Sequence, residues 1–161
     1  MKEPVKREVD GVMFYIRPFD AFVQLKMFGD LQREILPSVG GVLNVSLASD
    51  AEGAKQDAEA IKAFRDLSSN FSGDTLTRWA KMLLDEDHVS FEDANGSVKK
   101  LNRHNQGEAL EDFSAILELM YHVGKLNFSD PLVRWASLSG LVLKLKDKLS
   151  ANSGATSLAN S

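Results

Sequence analysis

The last third of the chain most constrains the fold, because two strongly patterned helices meet there at a short junction. The first is predicted from Glu108 to Phe128 and the second from Pro131 to Leu149. In both, apolar residues recur every three or four positions, the spacing of one helix face. A proline suits the first position of the second helix, since its missing N–H has no helical partner there. A helix that is apolar on most sides either lies at the centre of a core or gives one side to a partner, and the pattern leaves both open.

Two short segments carry the pattern of β-hairpins. Asp10-Gly11 separates two β-prone runs, which is typical of a two-residue turn with positive φ at both positions. Asn95-Gly96 marks a second, longer turn in the same way. The predicted strand pairs are Val5–Val9 with Val12–Ile16, and His88–Phe91 with Ser97–Leu101.

Three further helices are predicted before the long pair. The first runs from Phe19 to Leu36, with Asp20 as its N-cap or as an acid in its first turn, and is stopped by Pro37 and Gly40-Gly41. The second covers Gln56 to Ser69, and the third begins at a cap on Asp74 or Thr75 and reaches Asp85. The residues predicted to face the core are Leu25, Phe28, Leu31 and Ile35 in the first, Ile61, Phe64 and Leu67 in the second, and Leu76, Trp79 and Leu83 in the third.

These elements predict an α+β fold that is mainly α: an N-terminal β-hairpin, helices, a second short hairpin and two long C-terminal helices. We expect one globular domain over residues 1–149. The segment Val42–Lys55 has no clean period and reads as a surface loop. Ser150–Ser161 is small and polar, so burial cannot offset the entropy of ordering it, and we expect a disordered tail.

Composition limits the classes of function. The 161 residues carry a net charge of −4, which argues against a strongly basic nucleic-acid binder. The sequence contains no cysteine, which excludes disulfides and thiolate chemistry. The charged N-terminus lacks the apolar core of a secretory signal, and no apolar run approaches the length that spans a bilayer. We therefore expect a soluble intracellular protein that does not enter a membrane.

No motif indicates a catalytic, cofactor or metal site. The tightest group of potential metal ligands is Asp85-Glu86-Asp87-His88, but it lacks the spacing of a calcium loop and reads as a solvated turn. The phosphate-binding and dinucleotide-binding glycine motifs are absent. An enzyme with a site built from Asp85, Asp87 and His88 remains an alternative, which stabilisation by a divalent metal would revive.

A basic segment supports a different alternative, a small nucleic-acid-binding regulator. Lys99, Lys100, Arg103 and His104 follow the second hairpin, and Lys144, Lys146 and Lys148 lie on the last helix. Such a patch binds phosphates in a strongly salt-dependent manner. Because the chain as a whole is acidic, we favour a solvated face and expect no nucleic-acid partner.

The order of elements carries a resemblance to a known family. An N-terminal hairpin leads into Pro18-Phe19-x-Ala21-Phe22 and a helix that ends at Leu36-Pro37, and a late helix ends in Leu126-Asn127-Phe128. This arrangement resembles the tail assembly chaperones of long-tailed, siphovirus-like bacteriophages. The matched segments are Val12–Pro37 and Phe113–Phe128.

The resemblance implies a non-enzymatic protein that binds the helical tape measure protein in the host cytoplasm and keeps it soluble. It also implies displacement as the tail tube protein polymerises, absence from the finished virion, and self-association. A helix-in-groove contact fits such a role, and the candidate partner-binding residues are Leu117, Tyr121, Phe128, Leu132 and Trp135. The nearest rival is another small phage morphogenesis factor, such as a tail completion protein.

Overall fold

The computed structural model describes residues 3–38 and 54–131, and those up to Ser129 form one compact unit. The helix predicted over Pro131–Leu149, the loop Val42–Lys55 and the tail Ser150–Ser161 lie largely or wholly outside the described residues. The elements, in chain order, are β1 Val5–Val9, β2 Val12–Ile16, α1 Ala21–Glu34, α2 Ala54–Ser68, α3 Gly73–Leu83, β3 Val89–Glu92, β4 Val98–Lys100, α4 Gln106–Ala109 and α5 over residues 113–131.

Both predicted hairpins are present. In the first, Asp10 has a φ of 50° and Gly11 a φ of 78°, so both turn residues adopt the positive φ that a tight two-residue turn requires. In the second, Gly96 has a φ of 80°, and Asp93 Oδ1 accepts hydrogen bonds from the N–H groups of Asn95 and Ser97. The Asp-Gly and Asn-Gly signals therefore located both turns correctly.

The two hairpins join in one antiparallel sheet of four strands in the order β1-β2-β3-β4. Phe14 of β2 lies opposite Phe91 of β3, and Ile16 lies opposite Val89. All four side chains are at most 1% exposed, as the period of two in a strand predicts for one buried face. Among residues 3–38 and 54–131, the other large side chains below 2% exposure are Val9 of the sheet and Leu119 and Val123 of α5.

Of the two roles predicted for Asp20, the structure shows the N-cap of α1: Asp20 Oδ1 accepts from the N–H groups of Phe22 and Val23. The predicted buried face is only partly right. Phe28, Leu31 and Ile35 are half-buried, whereas Leu25 is 68% exposed and Met27 is buried in its place. The side of α1 that faces the core is therefore rotated about the helix axis relative to the prediction, so that it includes Met27 and not Leu25.

The prediction of one helix from Glu108 was wrong at its start. The chain forms the short helix α4, leaves it at Leu110 in an extended conformation, and begins α5 at residue 113. Asp112 Oδ1 accepts from the Ala115 N–H, so an aspartate caps a new helix where the periodicity suggested an unbroken one. As a result Phe113, at the start of α5, is 76% exposed.

Two other boundaries also differ. The cap of α3 is Ser72, whose Oγ accepts from the Thr75 N–H, and not Asp74 or Thr75 as predicted. Helix α5 does not end at Phe128, since the chain is helical to residue 131. The fold class is confirmed, being α+β and rich in helix with two hairpins. The domain limits remain a prediction.

Candidate partner-binding surfaces

The sequence-derived binding residues that the structure describes differ widely in exposure. Leu117 and Phe128 are buried, with 7% and 3% of their surfaces exposed, and so contribute to the core. Tyr121 is half-buried on the same helix. Leu132 and Trp135 lie outside the described residues. Of the three candidates that the structure describes, Tyr121 therefore has the most exposed side chain.

Helix α2 lies against Tyr121 and covers part of it. The rings of Phe64 and Tyr121 have centroids 6.3 Å apart, a distance typical of a favourable aromatic pair. One turn further along, Lys125 Nζ donates to Asp57 Oδ1 at 2.6 Å. Burial, together with the adjacent Asp57 carboxylate, raises the pKa of Tyr121 to about 12. Its hydroxyl thus stays protonated at neutral pH and can donate a hydrogen bond.

A second polar contact joins the same two helices. Arg65 of α2 pairs with Glu118 of α5 at 3.4 Å, and Glu118 also lies 3.9 Å from Nε2 of the buried His122. Burial lowers the pKa of His122, so the ring is neutral at neutral pH. These side chains hold α2 on α5, and none of them is arranged as a nucleophile with a base.

The side chains of Asp85–His88 make hydrogen bonds and ion pairs in and around the turn between α3 and β3. Asp85 Oδ1 accepts from the Asp87 N–H and lies 3.2 Å from His88 Nδ1. The His88 ring lies 4.5 Å from that of Phe19, and Asp87 pairs with Lys100 at 3.0 Å. Within residues 3–38 and 54–131, no group of three or more histidine, aspartate or glutamate side chains could hold a metal ion.

Half of the basic segment is engaged in ion pairs. Lys99 Nζ lies 2.8 Å from Asp93 Oδ2, and Lys100 Nζ lies 3.0 Å from Asp87 Oδ1. Each hydrogen bond raises the pKa of its lysine and lowers that of its aspartate. Two acids therefore offset two of the cations that a nucleic acid would need.

The sequence-based prediction missed an apolar patch on α1. Phe22 is 85% exposed and Leu25 is 68% exposed, and Gly29 is exposed one turn later. We call Phe22, Leu25 and Gly29 the α1 stripe. Its spacing of three and four residues is visible in the sequence, but helical periodicity alone does not say which of two faces is buried. The other large exposed apolar side chains in the described parts are Val98 and Phe113.

No helix among the described residues is both long and apolar enough to cross a membrane. In the same parts of the chain, every buried side-chain nitrogen and oxygen has a hydrogen-bond partner.

Comparison with known proteins identifies the family. A search of curated proteins and a search of solved structures each gave no significant match. The profile of a family described as "Phage tail assembly chaperone protein, TAC" matches residues 10–140. That span begins at the first turn and includes β2, the second hairpin, all the described helices, and the Asp20 and Asn127 contacts of α1. The chain therefore belongs to the family of phage tail assembly chaperones.

Proposed function

We propose that this chaperone binds the tape measure protein of its phage and keeps it soluble until the tail tube protein assembles around it. It acts without catalysis, in the host cytoplasm, and leaves before the virion is complete. The family match supports a role in tail assembly. The observation that carries the binding role is the α1 stripe, where two large apolar side chains project from one helix.

The physical basis is the apolar surface that the partner exposes. A long helical protein with apolar stripes aggregates before another protein covers those stripes. Covering them removes apolar area from water, which is favourable in proportion to that area. A chaperone must later be displaced, so a contact of limited size suits the role better than a large obligate interface.

Coexpression tests the proposal directly. The tape measure protein encoded by the same phage is expressed alone and together with the full chain, and its soluble fraction and copurification with tagged chain are measured. We expect most of it to be insoluble alone, and soluble and copurified when coexpressed. A tape measure protein that is equally soluble in both cases, or that never copurifies, contradicts the proposal.

We further propose that Tyr121 contributes to the partner surface, in line with the sequence pattern. Because Phe64 and the Asp57–Lys125 pair cover one side of Tyr121, a partner helix reaches the whole ring only when α2 moves away from α5. Leu117 and Phe128 support the helix from the core. The predicted role of Leu132 and Trp135 in binding stays a prediction. A Tyr121→Glu variant that folds and still solubilises the partner contradicts a role for this side chain.

A further inference from the structure

We infer that the α1 stripe is the crossing point for one amphipathic helix of another protein, and that this helix carries acidic residues beside its apolar face. The inference deepens the proposed function and rests on it: the helix would belong to the tape measure protein. Three features of α1 support it, namely the exposed apolar pair, the glycine between turns, and the sign of the flanking charges.

The first feature is the spacing of the exposed apolar residues. Phe22, Leu25 and Gly29 are separated by three and four residues, which aligns them along one side of a helix. Phe22 and Leu25 are the two side chains there with large apolar area in water. The same spacing forms the contact line of helices that pack side by side.

The second feature is Gly29, which lies inside the helix. Glycine is the least favourable helix residue after proline, so its presence needs a reason. In the part of the chain that the structure describes, a Cβ added at Gly29 would have no atom within 4 Å. The backbone of Gly29 does not have a positive φ. Neither packing against the described residues nor backbone conformation therefore explains Gly29. A second helix that crosses at this point does, since a missing side chain permits close approach.

The third feature is the charge that borders the stripe. Lys26 and Arg33 are seven residues apart on the exposed side of α1. The two acids inside the helix, Asp30 and Glu34, are half-buried, and Glu34 accepts hydrogen bonds from Arg78 and Trp79 of α3. The pKa of Arg78 is raised by its hydrogen bond to Glu34 and by the charges of Glu34 and Asp30.

The exposed side of α1 is therefore basic, although the chain as a whole carries a charge of −4. A partner helix with aspartate or glutamate next to its apolar line complements this side. A second copy of the same chain fits less well, because two stripes face to face bring Lys26 and Arg33 of each copy toward cations.

The test uses the full chain coexpressed with the tape measure protein of its phage. The variants are Phe22→Glu with Leu25→Glu, and separately Gly29→Gln, which adds a long side chain at an open position without weakening the helix. The matched control is Phe113→Glu, since Phe113 is similarly exposed but lies at the start of α5. We expect the stripe variants to copurify about tenfold less partner or worse, as loss of a central apolar anchor implies, and the control to match the unchanged chain.

A charge reversal tests the acidic rim. Lys26→Glu with Arg33→Glu is compared with the control Lys62→Glu with Arg103→Glu, which changes the net charge equally at exposed positions. We expect several-fold weaker capture only for the first pair, and a smaller difference at high salt, because salt screens surface charges.

The outcomes separate this inference from the proposed function. If the unchanged chain captures no tape measure protein, the proposed function fails. If the unchanged chain and the stripe variants capture it equally, the function stands and the α1 site is wrong. If the stripe variants melt at a much lower temperature than the unchanged chain, the chain itself covers the stripe. If the unchanged chain is a dimer and the stripe variants are monomers, the stripe is a contact between two copies. Either result overturns the inference.

Discussion

Asn127 joins the start of α1 to the late part of α5. Its Oδ1 accepts from the Phe19 N–H at 2.8 Å and from Gln24 Nε2 at 3.1 Å, and its Nδ2 donates to the Val123 carbonyl at 2.9 Å. The side chain is 3% exposed, so water does not replace these bonds when it is removed. One amide thus positions the helix that carries the proposed binding stripe.

Asn127→Ala is expected to lower the free energy of unfolding by about 1–3 kcal/mol, because the buried Phe19 N–H loses its acceptor. Urea denaturation followed by circular dichroism measures the change. Asn70→Ala, at an exposed position after α2, serves as the control and should change the stability little. Equal stability of the Asn127 variant and the unchanged chain would show that α1 is held in place by other contacts.

His122 gives the fold a specific pH dependence. Burial lowers its pKa in the folded chain, whereas in the unfolded chain it titrates near its ordinary value of about 6.5. The unfolded chain therefore binds more protons, and stability is full above about pH 6.5 and falls as the pH drops toward the folded-state pKa. The charged groups around the ring are Arg7 of β1, Asp57 of α2, and Glu118 and Lys125 of α5.

The test compares urea midpoints between about pH 7.5 and 5, a range in which carboxylates remain mostly ionised. We expect the midpoint of the unchanged chain to fall as the pH is lowered and that of His122→Gln to fall less. The exposed His104→Gln should behave like the unchanged chain. A pH profile that His122→Gln leaves untouched would assign the effect to other groups.

At the scale of elements, the sheet depends on turns that local chemistry specifies. Asp10 and Gly11 both have positive φ, a region that aspartate tolerates and glycine adopts freely. The hairpin then places Phe14 and Ile16 on the face that pairs with Phe91 and Val89. The turn residues thereby determine the register of the buried sheet face.

Gly11→Ala should lower stability by about 1–2 kcal/mol, since an alanine at positive φ is strained even where space is open. Thermal and urea unfolding provide the measurement. Gly73→Ala is the matched control, because Gly73 is also unobstructed but has no positive φ, and it should be neutral or slightly stabilising. Equal effects of the two substitutions would refute the argument from turn conformation.

At the scale of the whole molecule, the helix faces that form the core differ from the face that we propose for partner binding. Helix α1 buries Met27 and exposes Phe22 and Leu25, so substitutions on its outer side leave the core intact. Helix α5 instead buries Leu117, Leu119, Met120, Val123 and Phe128, and substitutions at those positions report on stability first.

This division predicts a phage phenotype. A phage whose only copy of the gene carries Phe22→Glu with Leu25→Glu should form few plaques and, by electron microscopy, lack normal tails, while the purified variant melts like the unchanged chain. Phe113→Glu should give normal tails. Normal plaque numbers from the stripe variant would show that tail assembly does not require this surface.

The sequence by itself determined the features that depend on neighbouring residues. Asp-Gly and Asn-Gly located both turns, Asp20 marked the start of α1, and periodicity located α1, α2, α3 and most of α5, because these signals act within a few residues of the chain. The family resemblance rested on the order of those elements and was confirmed. The binding residues predicted from the width of the apolar faces remain untested.

Only the tertiary structure decided which side of α1 is buried, whereas the predicted core residues Ile61, Trp79 and Leu83 of α2 and α3 are buried as expected. Leu25 and Met27 are equally apolar, and the choice between them depends on contacts with residues far away in sequence, such as the bond between Asn127 and the start of α1. The pairing of β2 with β3 likewise depends on residues far apart in sequence. The hydrogen bond from the Asp87 N–H to Asp85 in the α3–β3 turn was also visible only in the structure. Whether a side chain is buried depends on how the whole chain packs. The exposure of the α1 stripe could therefore be determined only from the tertiary structure.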